Sequence, residues 1–235
     1  WDPVWPPWMA RAKGWRTRLC RPAPLALAVV AFSPWRAVAR DVRRPREYPR
    51  HHAETMLSSH QCSRVRSRAA QSLSLMRASV GSGGVGSEGV AVSEEARRAW
   101  FAPVPREDFF FGQLYARLWQ LVNATNERFW RFALSPAAME HMQYTVYRGG
   151  DRGTYDWHED VGFHSETAAR ALSVSVQLSE EDAYRGGDLI LRVGRQEVAA
   201  SRKVGTAVVF PSHVAHRVTP VTWGERHALV LWLQL

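Results

Sequence analysis

The segment at residues 155–160, Tyr-Asp-Trp-His-Glu-Asp, places an imidazole and a carboxylate two positions apart, at His158 and Asp160. If this segment is extended, side chains at i and i+2 point to the same face, so the pair can hold one ion. A third ligand must come from elsewhere in the chain. His216, 58 residues later and just after the segment Phe-Pro-Ser-His-Val-Ala, is the candidate. Two histidines and one carboxylate on one face of a metal such as Fe(II) leave three coordination positions open.

Arg226 follows His216 by ten residues, at the start of the last predicted strand. An arginine inside a barrel needs an anionic partner, and its planar guanidinium matches a carboxylate through two hydrogen bonds. A metal site beside such a clamp indicates a dicarboxylate that also chelates the metal. His213 is an alternative third ligand, but its offset of thirteen residues from Arg226 favours His216. A surface histidine near two acids remains the ordinary explanation for a His-x-Asp pair taken alone.

The elements that must position these residues follow from periodicity. Apolar residues at helical spacing predict a helix over 107–124. Alternating or apolar runs then predict five short strands, at 141–147, 172–178, 188–193, 204–210 and 226–234. Many short strands after one or two helices predict a mainly β fold with flanking helices, a jelly-roll (double-stranded β-helix) barrel buttressed by N-terminal helices. On the strand at 172–178, Ser173, Ser175 and Gln177 share a face that lines either the active site or solvent.

These residues, taken in order, resemble the iron(II)/2-oxoglutarate-dependent dioxygenases, and most closely the prolyl 4-hydroxylase-type (PKHD-type) domain. The resemblance extends over roughly residues 117–235 and none of the preceding arm. It lies in the motifs HxD, GGxL, FPS, the distal histidine, PVT and GxR, within the following segments: YDWHEDVG, RALSVSVQLSEEDAYRGGDLILR and GTAVVFPSHVAHRVTPVTWGERHALVLW.

The resemblance implies roles for individual residues. His158, Asp160 and His216 would hold Fe(II), and Arg226 would bind the distal carboxylate of the co-substrate 2-oxoglutarate. Tyr147, Gln177 and Leu189 would line the co-substrate pocket. The implied reaction uses dioxygen to decarboxylate 2-oxoglutarate to succinate and CO2 and hydroxylates a C–H bond of a peptide or small-molecule substrate. Ascorbate dependence is also expected from the family.

The charge of the chain is unevenly distributed. The chain of 235 residues has a formal net charge of +9, but residues 1–92 hold 15 Lys+Arg against 5 Asp+Glu, whereas residues 93–235 hold 16 against 17. We therefore expect a basic, low-order arm over 1–92 and a catalytic domain over 93–235. The apolar run at 25–32 after basic residues suggests organelle or secretory targeting, and the Gly/Ser-rich stretch at 80–90 a linker. No apolar run reaches the roughly 20 residues that span a bilayer.

Two other functions are compatible with the sequence. The barrel would serve as a metal-binding pseudo-enzyme if it lacked turnover, and the arm would bind nucleic acid if its arginines contacted phosphates. No nucleic-acid-binding motif accompanies the charge, so nucleic acid is the least favoured partner. The sequence does not indicate the oligomeric state or the identity of the substrate.

Overall fold

The structure is a computed structural model that describes residues 51–78, 96–162 and 165–235. The apolar run at 25–32 and the Gly/Ser-rich stretch at 80–90 lie outside the described residues. The described part is mainly β with flanking helices, as predicted. None of its helices has the length and apolar character needed to cross a bilayer.

In the described residues, three α-helices and a short 3-10 helix at Pro136–Ala138 accompany the strands. The helices are α1 (Ser59–Ser72), α2 (Phe109–Phe129) and α3 (Ser165–Ala168). The helix predicted over 107–124 is α2, which begins after its N-cap residue Asp108 and extends to Phe129. The Asp108 carboxylate accepts hydrogen bonds from two backbone N–H groups in the first turn and pairs with Arg68 of α1 at 2.6 Å. This pairing links the two long helices.

The thirteen strands in the described residues form two main sheets. They are β1 (His52–Thr55), β2 (Met76–Arg77), β3 (Arg97–Arg98), β4 (Trp100–Pro103), β5 (Gln143–Arg148), β6 (Thr154–His158), β7 (Arg170–Gln177), β8 (Tyr184–Gly186), β9 (Leu189–Val193), β10 (Gln196–Ala199), β11 (Thr206–Pro211), β12 (His216–Val218) and β13 (Val221–Gln234). The larger sheet has the order β1-β11-β7-β13-β5-β4-β2, with β8 paired to β13, and the smaller has the order β10-β9-β12-β6-β3. All five predicted strands are present, with ends shifted by a few residues.

The larger sheet separates two apolar clusters. One cluster joins α1 and α2 to the apolar faces of β5, β7 and β13, through residues such as Phe111, Leu118 and Val174. The other includes Tyr147, Leu191 and Phe210, which come from strands of both sheets. The helices therefore buttress one face of the larger sheet, and its other face closes a barrel with the smaller sheet, as predicted for a jelly roll.

Residues 51–78 differ from the prediction that residues 1–92 form a low-order arm. β1 pairs antiparallel with β11, and the backbone N–H groups of Met56 and Leu57 donate to the Gly205 carbonyl. α1 buries only Cys62, Val65 and Ala69. The charge count could not detect this segment, because a net charge does not reveal that Leu57 and the apolar side chains of α1 join the core.

Candidate metal centre

The first two candidate ligands face each other across a pair of antiparallel strands. His158 ends β6, His216 begins β12, and the two residues are direct partners in the ladder. Opposed residues of an antiparallel pair project to the same face of the sheet. Their ring centroids accordingly lie 4.1 Å apart. The strand register thus brings together two histidines that are 58 positions apart in the sequence.

Asp160 completes the cluster from the loop that follows β6. Its carboxylate oxygens lie 3.7 Å from Nε2 of His158 and 3.5 Å from Nε2 of His216. One potential ligand atom from each of the three residues lies within 4.8 Å of the others. The Asp160 backbone N–H donates to the Ser212 carbonyl at 2.9 Å, which ties this loop to the segment after β11.

Hydrogen bonds orient each of the three ligands. Nδ1 of His158 lies 2.7 Å from the Asp156 carbonyl, and Nδ1 of His216 lies 2.9 Å from the Val214 carbonyl. If Nδ1 carries the proton and donates to that carbonyl, each Nε2 presents a lone pair to the cluster. The Ser173 hydroxyl donates to Oδ2 of Asp160 at 2.7 Å. This donor set fits a 2-His-1-carboxylate metal site.

The protonation states also suit a metal. Burial, helped by the neighbouring His216, lowers the pKa of His158 to about 4, so its imidazole is neutral at physiological pH. Burial alone would favour a neutral Asp160, but His216, His158 and the Ser173 hydroxyl together hold the pKa of this carboxyl below its usual range. Neutral imidazole and ionised carboxylate are the forms that bind metals.

Arg226 lines the same cavity as the three ligands, which has an empty volume of about 460 Å³. It lies on β13 directly opposite Tyr147 of β5, and its guanidinium carbon is 5.6 Å from the centre of the Tyr147 ring. Only 4% of the residue is exposed, yet no carboxylate among the described residues forms an ion pair with it. Because a buried unpaired cation is costly, Arg226 is suited to an anionic ligand.

The three predicted pocket residues surround Arg226. Tyr147 and Leu189 line the metal cavity. Gln177 and Leu189 line an adjoining cavity that also contains Arg226. The Gln177 side-chain amide donates to the Tyr184 hydroxyl at 3.0 Å. The structure therefore places all seven predicted site residues around two cavities that share Leu189 and Arg226, and their roles toward a bound co-substrate stay predictions.

Two further residues support the site, and the sequence alone did not identify them as supports. Ser173 bonds Asp160 and lies 3.0 Å from the Ser212 hydroxyl, so the two serines form a short chain behind the carboxylate. Ser212 belongs to the Phe-Pro-Ser motif and Ser173 to the polar face of β7, which were the signals available. His213 is exposed and outside the cluster, so the structure favours His216.

Comparison with known families finds a match over the segment that contains the site. Residues 142–234 match the family model described as the 2OG-Fe(II) oxygenase superfamily. The matched segment begins just before β5 and ends with β13, so it contains all three candidate ligands and Arg226. Over this segment the chain is similar to the 2OG-Fe(II) oxygenase superfamily. That family implies Fe(II), 2-oxoglutarate and dioxygen, and the His-Asp-His cluster of this domain fits the metal.

Individual relatives agree with this assignment over part of their length. A PKHD-type hydroxylase of Shewanella sp. (strain ANA-3) is 37% identical over 94 residues, which is 39% of this chain and 41% of the relative. One from Synechococcus sp. (strain CC9605) is 38% identical over 90 residues, 38% of this chain and 40% of the relative. The chain thus spans about two fifths of the length of the curated relatives it matches.

Solved structures share the fold of this chain. A Pseudomonas putida prolyl-4-hydroxylase superposes with a TM-score of 0.61 at 22% identity, over 79% of this chain and 93% of that protein. A Trichoplax adhaerens prolyl hydroxylase, solved with a peptide fragment of the hypoxia inducible factor oxygen degradation domain, gives 0.64 at 16% identity, over 79% and 83%. At these identities the likeness establishes the fold.

Proposed function

We propose that this protein is an Fe(II)- and 2-oxoglutarate-dependent dioxygenase that hydroxylates a C–H bond of a prolyl peptide or a related substrate. The observation that carries the proposal is a single cavity that contains a 2-His-1-carboxylate cluster and a buried arginine with which no described carboxylate forms an ion pair. A metal and a dicarboxylate would satisfy both features together, since one end of the dicarboxylate can chelate the metal while the other pairs with the arginine.

The residues of the site would have three roles, which are binding the metal, orienting a metal ligand and binding the co-substrate. His158, Asp160 and His216 would hold Fe(II), and the Ser173 hydroxyl would keep the Asp160 carboxylate in place. Arg226 would bind the distal carboxylate of 2-oxoglutarate. When bound, Fe(II) and 2-oxoglutarate supply, with dioxygen, the oxidative decarboxylation to succinate and CO2 that hydroxylates the substrate.

Aromatic side chains would keep water away from the metal. The Tyr155 ring stacks on His158 with centroids 3.5 Å apart and an interplanar angle of 15°. The Phe210 ring meets His216 edge to face at 4.8 Å. These contacts fix both imidazoles and cover their sides, so exchange with solvent would be limited to the open part of the cavity.

A prolyl substrate is favoured by the relatives. The PKHD-type hydroxylases match the oxygenase domain in sequence, and the prolyl hydroxylase structures match it in fold, one of them with a peptide bound. We therefore infer that the substrate of this chain is also a prolyl peptide or a related molecule.

Succinate release from 2-oxoglutarate tests the proposal. The full chain, supplied with Fe(II), dioxygen and prolyl peptides, should release succinate. His158→Ala and Asp160→Ala should abolish this turnover, because each leaves only two protein ligands. Glu159→Ala is the matched control, since Glu159 lies between the two ligands but is exposed. Succinate release at the wild-type rate from either ligand variant would refute the metal site, and no release from the wild type would favour a pseudo-enzyme.

Two further proposals rest on sequence alone. Ascorbate would sustain turnover, so omitting it should shorten the linear phase of succinate release. Residues 1–50 would direct the chain to an organelle or the secretory route, so a fluorescent fusion should lose its location when they are deleted. An unchanged time course or an unchanged location would refute the respective proposal.

A further inference from the structure

Arg97 is a second cation on the wall of the metal cavity. Among the described residues, Arg226 and Arg97 are the two cations that line this cavity. Arg97 lies on β3, where it pairs with Tyr155 of β6. Unlike Arg226, it does not reach the adjoining cavity that contains Gln177. The two arginines therefore serve different parts of the site.

Aromatic rings hold the Arg97 side chain in place. Its guanidinium carbon lies 4.7 Å from the centre of the Tyr155 ring and 5.7 Å from that of Phe101. Tyr155 in turn stacks on the metal-ligand candidate His158. Cation–π contacts of this kind orient a guanidinium but leave its charge without a counter-ion.

The charge of Arg97 is not neutralised within the described part of the chain. No Asp or Glu forms an ion pair with it there, and its buried Nε makes no hydrogen bond. The other arginines that stack on aromatic rings include several with carboxylate partners, for example Arg170 with Glu140 and Arg202 with Asp188. Within the described residues, no carboxylate competes with an external anion for this oriented, half-buried cation beside the metal cavity.

We propose that Arg97 is a specificity-determining residue that binds a carboxylate of the substrate. If Arg226 binds the co-substrate, Arg97, on the His158 side of the cavity, is left to bind the molecule that is oxidised. The substrate class would then be acidic: a peptide with Asp or Glu near the reacting residue, or a free amino acid with its own carboxylate. The assignment of this anion to the substrate rests on the proposed function.

Peptide capture tests the binding step without turnover. The full chain, immobilised with Zn(II) and 2-oxoglutarate, is incubated with randomised pentapeptides whose ends are blocked, so that carboxylates come from Asp and Glu alone. A second arm compares retention of proline with that of prolinamide. In one of the two arms, the wild-type protein should retain the probes that carry a carboxylate at least fivefold more than the matching neutral amides. Which arm shows the preference distinguishes a peptide from a free amino acid.

Variants of β3 decide whether Arg97 is responsible. Arg97→Gln should abolish the acidic preference, and Arg97→Glu should shift it toward Lys and Arg. Arg98→Gln is the matched control, because Arg98 is the next residue on the strand and does not line the cavity. No acidic preference in the wild type, or the same preference in Arg97→Gln, would overturn the inference. A loss of 2-oxoglutarate binding in Arg97→Gln would also overturn it, by assigning Arg97 to the co-substrate.

Turnover of the same probes with Fe(II) separates this inference from the proposed function. An Arg97-dependent acidic preference without succinate release would refute the dioxygenase and leave the anion site standing. Succinate release with equal hydroxylation of acidic and neutral probes would support the dioxygenase and refute the role of Arg97. An acidic preference in both capture and hydroxylation would support both.

Discussion

Replacing Arg226 by methionine should weaken 2-oxoglutarate binding. It should also stabilise the protein when no 2-oxoglutarate is bound. Methionine keeps much of the side-chain volume but removes the charge. The planar guanidinium can make two hydrogen bonds to a carboxylate, each worth about 1.5–3 kcal/mol when charge-assisted. Their loss amounts to about 3–6 kcal/mol, and each 1.4 kcal/mol is about tenfold in affinity. The KM for 2-oxoglutarate should therefore rise by about 10²- to 10⁴-fold.

The stability effect should have the opposite sign. With 4% of Arg226 exposed and no ion pair to it from the described residues, the wild-type protein without co-substrate bears the cost of a buried charge. Replacing buried charges by apolar side chains is often stabilising by about 1–4 kcal/mol. For a domain of this size, each kcal/mol corresponds to a shift of about 2–4 °C in Tm.

Thermal unfolding with and without co-substrate measures both effects. With Zn(II) bound, 2-oxoglutarate should raise the Tm of the wild type and leave that of Arg226→Met unchanged, because a ligand stabilises only the state that binds it. Without 2-oxoglutarate, the variant should have the higher Tm. An unchanged KM together with a lower Tm would refute the assignment of Arg226 as a co-substrate clamp.

Three other predictions follow from particular contacts. Ser173→Ala should weaken metal binding about 10- to 100-fold in a Mn(II) titration, because the hydroxyl holds the Asp160 carboxylate; an unchanged affinity would show that the bond is dispensable. Burial raises the pKa of Cys62 to about 11, so little of this thiol should be ionised at pH 8, and more only as the pH approaches 11. Its alkylation by iodoacetamide, measured by mass spectrometry, should follow the same pH dependence, and rapid labelling of the folded protein at pH 8 would contradict this. A chain that starts at residue 93 should lose cooperative urea unfolding, because it lacks β1 and α1. If it unfolds as cooperatively as the full chain and at the same urea concentration, the domain begins at residue 93, as the sequence predicts.

The site was easier to predict than its surroundings. His158, Asp160, His216 and Arg226 have side-chain types with few structural uses in a barrel interior, and their order matches a known pattern. The structure shows what brings the two histidines together, which is the strand register that pairs His158 with His216. Register between distant strands depends on long-range packing and is not visible in local periodicity.

The alternation in β7 shows where periodicity is ambiguous. Leu172, Val174 and Val176 pack against the helices, and this apolar face was predictable. The polar face could equally have faced solvent. Ser173 and Gln177 are instead 1% and 4% exposed, because that face lines the cavities. A period of two identifies the two faces of a strand but does not distinguish water from a polar interior.

Arg97 and α1 were missed for different reasons. β3 contains only two residues, too short for any periodic signal, so the place of Arg97 on the cavity wall depends entirely on tertiary structure. In α1, a narrow apolar stripe at Cys62, Val65 and Ala69 lies among arginines. Net charge summed over 92 residues concealed this stripe, and a helical-spacing search of that segment would have been the better indicator.

If His158, Asp160 and His216 hold Fe(II) in a cavity that also binds 2-oxoglutarate, the two ligands together should give the protein a visible colour. Anaerobic absorption spectroscopy of the full chain measures it, since chelation of the iron by 2-oxoglutarate produces a visible metal-to-ligand charge-transfer band. This band should appear only when both Fe(II) and 2-oxoglutarate are present, reach its maximum at one iron per chain, and be absent from Asp160→Ala. No band in the wild type, or an undiminished band in Asp160→Ala, would refute the metal site.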